Sequence, residues 1–154
     1  MTRTIFEIIF LIEIIYLAFH YFKLFKNVVN TRREIKISIG HKNAKLERAV
    51  RAHGNFCETA PFIILLNFIL YFNNILFFAV LSLLFLAIGR TIHSFAVSDI
   101  NEDIRDRRKG MKLTIYSLFI AIIGIIFYII KLIFYSFQAY INTTFLPQYF
   151  IIIA

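Results

Sequence analysis

The chain has no tryptophan and, in 154 residues, only 2 prolines, 5 glycines and 1 cysteine. So few helix breakers make long uninterrupted helices the natural outcome. A single cysteine, Cys57, cannot close an internal disulfide, so nothing marks an oxidising compartment. Acids are scarce as well, 9 against 17 Lys and Arg, leaving a net charge of +8. That excess does not point to nucleic acid. It is confined to two segments between apolar runs, with no aromatic-interleaved basic patch and no recognisable nucleic-acid module. Apolar residues are plentiful, at 60% of the chain, with 18% aromatic and a strongly positive mean hydropathy. Soluble domains run at about 45–50% apolar. The composition describes an all-α integral membrane protein, with residues 1–154 as one domain.

Four apolar runs are long enough to cross a bilayer, which takes about 20 residues. The first covers about 5–25 and includes Glu7, Glu13 and His20. It lacks a small-residue cleavage site, so it reads as a span rather than a signal peptide. From Lys23 to Arg51 follows a basic segment (Lys/Arg at 23, 26, 32, 33, 36, 42, 45, 48 and 51), in which the β-branched run ending at Gly40 reads as a surface loop. The second helix is expected from near Asn43 to about Phe72, in the membrane over 56–72, with a kink at Pro61. A short uncharged break at 71–74 precedes a third span, about 75–97. The fourth covers about 112–137, after a loop holding Asp99, Glu102, Asp103 and Asp106 among its basic residues. The apolar tail 142–154 is too short to cross as a helix and reads as interfacial or packed on a neighbour. An even number of spans puts both basic loops on one side, which the positive-inside bias marks as cytoplasmic.

The polar residues of interest lie where these helices meet the cytoplasmic interface. Arg51, Asn55 and Glu58 recur at i, i+4 and i+7, on one helix face, with Arg48 one turn earlier. An Arg fork grips a carboxylate, a Glu accepts from an ammonium, and an Asn supplies donor and acceptor. The set suits a small zwitterionic ligand such as a peptide; equally, Arg51 and Glu58 could close an ion-pair network between helices. His53 reads as a structural hydrogen-bonder and Cys57 as packing. No metal set accompanies His53 or His93. Arg90, His93 and Ser94 share a face of the third helix. Arg105 or Arg107, brought near a thiol, would favour its thiolate, whereas Arg108, Lys109 and Lys112 read as an anchor to anionic lipid. Glu13 reads as an interhelical hydrogen-bonder.

The stretch Glu47-Arg-Ala-Val-Arg51-Ala-His53-Gly-Asn55-Phe-Cys-Glu58-Thr-Ala-Pro61 resembles the R-x-x-x-N-x-x-E signature of the MAPEG family, the membrane-associated proteins in eicosanoid and glutathione metabolism, flanked as in bacterial members. Gly89-Arg90-Thr-Ile-His93 and Arg107-Arg-Lys-Gly110-Met111-Lys-Leu-Thr114 agree with it. The resemblance is clearest from Tyr21 to about Phe127. It implies a four-helix subunit in a homotrimer resembling the microsomal glutathione transferases, with glutathione bound between neighbouring subunits near the cytoplasmic face of a bacterial inner membrane. By matching position, Arg51, Asn55 and Glu58 would hold glutathione, with Arg48, His53, Arg90 and His93 nearby. Arg105 or Arg107 would stabilise the thiolate for attack on a lipophilic electrophile or reduction of a lipid hydroperoxide. Two departures stand out. Val97 occupies a position where active members often carry Tyr, and Asn30 one where the first helix often ends in Arg. A non-catalytic relative that binds lipid or modulates partner proteins is the alternative.

Overall fold

A computed structural model of the chain describes residues 2–40 and 43–144. Four α-helices make up its regular structure: α1 (Thr2–Ile35), α2 (Ala44–Phe72), α3 (Leu76–Ser98) and α4 (Ile104–Thr144). All four are long and apolar enough to cross a membrane, and the chain is an integral, multi-pass four-helix bundle. The expected tail lies largely outside the described residues, although its first residues, 142–144, continue α4.

Local chemistry sets the helix ends. Asn43 begins α2 because its side-chain oxygen accepts from the Lys45 and Leu46 amides at 2.9 and 3.2 Å. At the end of α2, Asn74 takes a left-handed φ of 60°, and the Ile75 amide reaches back to the Leu70 carbonyl at 2.9 Å. This is the αL helix stop that asparagine tolerates. The same device ends α1, with Lys36 at φ 55° and the Ile37 amide bonded to the Arg32 carbonyl at 3.2 Å. The loop expected at the run ending in Gly40 is there, over residues 36–40, and the helix before it outlasts the membrane span. Basic residues beyond Phe25 mark where the chain leaves hydrocarbon, yet the helix continues through them to Ile35. Helix propensity of Lys, Arg and Glu is high in water, so the boundary of the bilayer is not a boundary of the helix. Likewise α2 runs unbroken through Pro61, whose ring leaves the Cys57 carbonyl without its usual donor.

α3 lies at the centre. In its most apolar stretch 56% of residues are buried, against 22% in α1 and 17% in α4. α1 and α4 share no contact among the described residues; each packs on α2 and α3 from opposite sides. Their outer faces are rows of exposed Ile, Leu and Phe, which is the surface lipid requires.

The closest helix contact is at glycine. A Cβ on Gly89 would lie 2.9 Å from the Gly110 carbonyl oxygen, and one on Gly110 would lie 2.6 Å from the His93 amide nitrogen. Backbone touches backbone there, as small residues permit between membrane helices. Deeper in the bundle, Ser82 Oγ donates to the Ser117 carbonyl at 2.9 Å while Ser117 Oγ returns a bond to the Ser82 carbonyl at 2.8 Å. Asn67 Nδ2 donates to Ser82 Oγ at 2.9 Å, adding α2 to the same ladder. On the other side, Tyr16 Oη meets Thr91 Oγ1 at 2.6 Å and His20 Nε2 meets Ser94 Oγ at 3.1 Å, joining α1 to α3.

The glycine contact gives a direct test. Gly110→Ala should lower the thermal unfolding midpoint in detergent, at the about 1–3 kcal/mol typical of overpacking. Gly54→Ala, where a Cβ meets nothing within 4 Å, should not. Equal midpoints for the two variants would refute the close-contact account.

Candidate functional site

α2 presents Arg51, Asn55 and Glu58 along one face. Arg51 and Glu58 are exposed, and among the described residues neither has a hydrogen bond or an ion pair. The internal ion-pair network is therefore not formed within one chain. Asn55 is half-buried and anchored. Its Nδ2 lies 3.2 Å from Nε2 of the buried His93, whose Nδ1 lies 3.2 Å from the Arg107 carbonyl oxygen. An amide N–H can only donate and a carbonyl can only accept. The bonds thus assign His93 as a neutral imidazole with its proton on Nδ1. Asn55 spends a donor on His93, which leaves its Oδ1 as the acceptor for a ligand.

Arg90 supports this arrangement from beneath. It is 2% exposed, and its Nε donates to Thr114 Oγ1 at 3.0 Å. Its Nη1 donates to the Asn55 carbonyl at 3.0 Å and to Thr59 Oγ1 at 3.1 Å. One guanidinium thus bonds residues of α2 and α4 from α3. Its Nη2 is buried without a partner, and no carboxylate pairs with it among the described residues. Arg90 is near the site, as the resemblance implies, but its bonds go to protein and fix the Asn55 backbone.

Above the membrane, Glu102 gathers two arginines. Its Oε2 accepts from Arg48 Nη1 at 3.0 Å and its Oε1 from Arg107 Nη1 at 3.1 Å. Arg48 also donates to the Val97 carbonyl at 3.1 Å, tying the first turns of α2 to the end of α3. The bond from Arg48, reinforced by Arg107, holds the Glu102 carboxyl below its ordinary 4.5. Nothing in the sequence singled Glu102 out from the other loop acids. The usable signal was its place one residue before Asp103, whose Oδ1 caps α4 by accepting from the Arg105 amide at 2.7 Å.

The two candidate activating arginines diverge. Residues two apart on a helix point about 200° apart. Arg107 is turned toward α2 and α3 through Glu102 and His93. Arg105 is 82% exposed and pairs with Asp103 at 3.3 Å. His53 diverges for the same reason, two residues from Arg51. It lies on the α1 side of α2, its ring 5.3 Å from Tyr21 and its Nε2 3.6 Å from Cys57 Sγ. Within one chain, then, Arg48, Asn55, Arg90, His93 and Arg107 form one connected cluster with Arg51 and Glu58 at its open edge. His53 and Arg105 stand apart from it. Among the described residues no group of three or more His, Cys, Asp or Glu could hold a metal.

A depressed carboxyl stabilises the fold above its unfolded pKa, and that contribution is lost as pH falls through its folded value. Glu102→Gln should therefore lower the thermal midpoint at neutral pH and converge on the parent protein well below pH 4.5. A constant difference at every pH would show that Glu102 does not act through its charge.

The MAPEG family model matches residues 10–138. No curated protein and no solved structure matches the chain. The family model covers all four helices and the whole cluster from Arg48 to Thr114, and the chain belongs to the MAPEG family, which includes glutathione transferases and related membrane proteins.

Proposed function

We propose that this protein binds glutathione and activates its thiol toward lipophilic electrophiles, as a transferase with peroxidase capacity. The observation that carries the reading is the open face of α2, where Arg51 and Glu58 stand without partners beside an Asn55 fixed by His93 and Arg90. Arg51 pairs with a glutathione carboxylate, Glu58 accepts from its ammonium, and Asn55 Oδ1 accepts from a peptide N–H. Arg107 is the better-positioned activating group, since its ion pair with Glu102 holds it beside the cluster while Arg105, paired with Asp103, stands apart from it. A guanidinium near the sulfur favours thiolate over thiol. The thiolate then forms a C–S bond to an electrophilic carbon; in substitution the broken bond's pair departs with the leaving group, and in conjugate addition the π pair shifts onto the activating group, which takes a proton from water.

We place the site between subunits of a homotrimer. His53 faces α1, away from the Arg51–Glu58 side of its own helix, so a part for it in glutathione binding would be in a neighbour's site. Glu13, buried in a membrane span, has an oxygen without a partner among the described residues. Polar groups in hydrocarbon require partners, and an oligomer supplies them. The basic loops support an inner-membrane orientation with the site on the cytoplasmic side. One observation favours a second reading, a non-catalytic member. Val97 is buried and offers only its carbonyl, to Arg48, where active relatives often carry a Tyr hydroxyl.

Glutathione added to the purified protein in detergent should give thiolate absorbance, which Glu58→Ala and Arg51→Ala should abolish by preventing binding. Arg107→Ala should retain binding but slow conjugation by roughly 10–100-fold, the scale of one charge-assisted contact of about 1.5–3 kcal/mol. Arg105→Ala should have a smaller effect. If both arginine variants turn over like the parent, the mechanism is wrong, and absence of any glutathione binding would favour the non-catalytic reading.

A further inference from the structure

α1 and α3 leave a groove between them on the side of α3 away from the site. Phe95, which lines it, is two residues from His93 and so points to the opposite face. At the polar end lies a cavity of about 380 Å³ bordered by Lys23, Lys26, Asn27, Ser94, Phe95 and Ser98. One turn further into the membrane, on the same two helices, a second cavity of about 400 Å³ is bordered by Ile12, Tyr16, Leu84, Ile88, Thr91 and Ile92. The polar part carries cations and amide or hydroxyl groups; the deep part is almost entirely apolar.

The dimensions match one lipid leaflet. From Lys23 to Ile12 is about 16 Å along a helix, and half of a hydrocarbon core of about 30 Å is about 15 Å. The charge also matches. Lys23 has its ammonium 4.8 Å over the Phe95 ring, and neither Lys23 nor Lys26 has an ion pair among the described residues. Of the acids beyond Ser98, Asp103 and Asp106 are already paired with Arg105 and Lys109, and Asp99 Oδ1 accepts from the Asn101 amide. Glu13 borders the deep part but is 8% exposed, so an acyl chain there meets chiefly Ile12, Leu84 and Ile88.

We infer that this groove is a binding site for an anionic phospholipid, its phosphate between Lys23, Lys26 and Ser98 and one acyl chain along Ile12, Leu84 and Ile88. Basic pockets between helices at the cytoplasmic interface recognise such headgroups, and each cation near an anionic surface contributes on the scale of a severalfold change in binding.

The test titrates phosphatidylglycerol and phosphatidylcholine into the purified protein in neutral detergent and counts bound lipid by native mass spectrometry. The parent protein should retain phosphatidylglycerol preferentially. Lys23→Gln/Lys26→Gln should reduce that preference on the order of tenfold, while Arg33→Gln/Lys36→Gln, which removes equal charge outside the groove, should preserve it. Ile88→Trp, which fills the apolar part, should lower phosphatidylglycerol retention with the charges intact, and millimolar inorganic phosphate should not displace the lipid. Equal retention of both lipids, or equal loss in the control pair, would overturn the site in favour of general surface charge. Displacement by inorganic phosphate would overturn it in favour of a free-anion site.

Discussion

The guanidinium of Arg90 is the interaction on which the rest depends. It occupies the centre of the bundle without a carboxylate, at a depth where an isolated charge is costly. Its donors are therefore distributed to the Asn55 carbonyl and Thr59 of α2 and to Thr114 of α4. The bond to Thr114 can form only if α4 approaches α3 closely, which Gly89 and Gly110 allow. The same approach brings the Arg107 carbonyl to His93 and so fixes the side chain of Asn55. Packing and ligand geometry are thus one arrangement rather than a scaffold with a site added.

A gradient of polarity runs along that arrangement. The ladder of Asn67, Ser82 and Ser117 deeper in the bundle is neutral, its hydroxyls and amide N–H groups bonded while the Asn67 Oδ1 stays without a partner among the described residues. Arg90 is charged and incompletely satisfied. Farther out, Glu102 joins Arg48 and Arg107 where water can share the cost of ionisation. The bundle is held by neutral bonds where hydrocarbon surrounds it and by ionic bonds where it emerges.

Much of this was legible in the sequence, for particular reasons. Four apolar runs gave four helices, and Asn43 and the Asn73–Asn74 break fell where caps form. The face shared by Arg51, Asn55 and Glu58 followed from spacing alone, and the separation of His53 and Arg105 from it could have been read the same way. Other features were hidden because they are made by partners distant in the chain. The continuation of α1 to Ile35 was masked by charge, which reports solvent rather than backbone. The contact of Gly89 with Gly110 and the grip of Glu102 on two arginines depend on how α3 and α4 cross.

The absence of contact between α1 and α4 bears on the order of assembly. As α4 packs only on α2 and α3, its docking surface is complete once the third helix is in place. Until then the Nε of Arg90 lacks Thr114, and His93 lacks the Arg107 carbonyl. α4 therefore supplies the third acceptor of the Arg90 guanidinium and the carbonyl that fixes the His93 ring, completing a set that α2 begins.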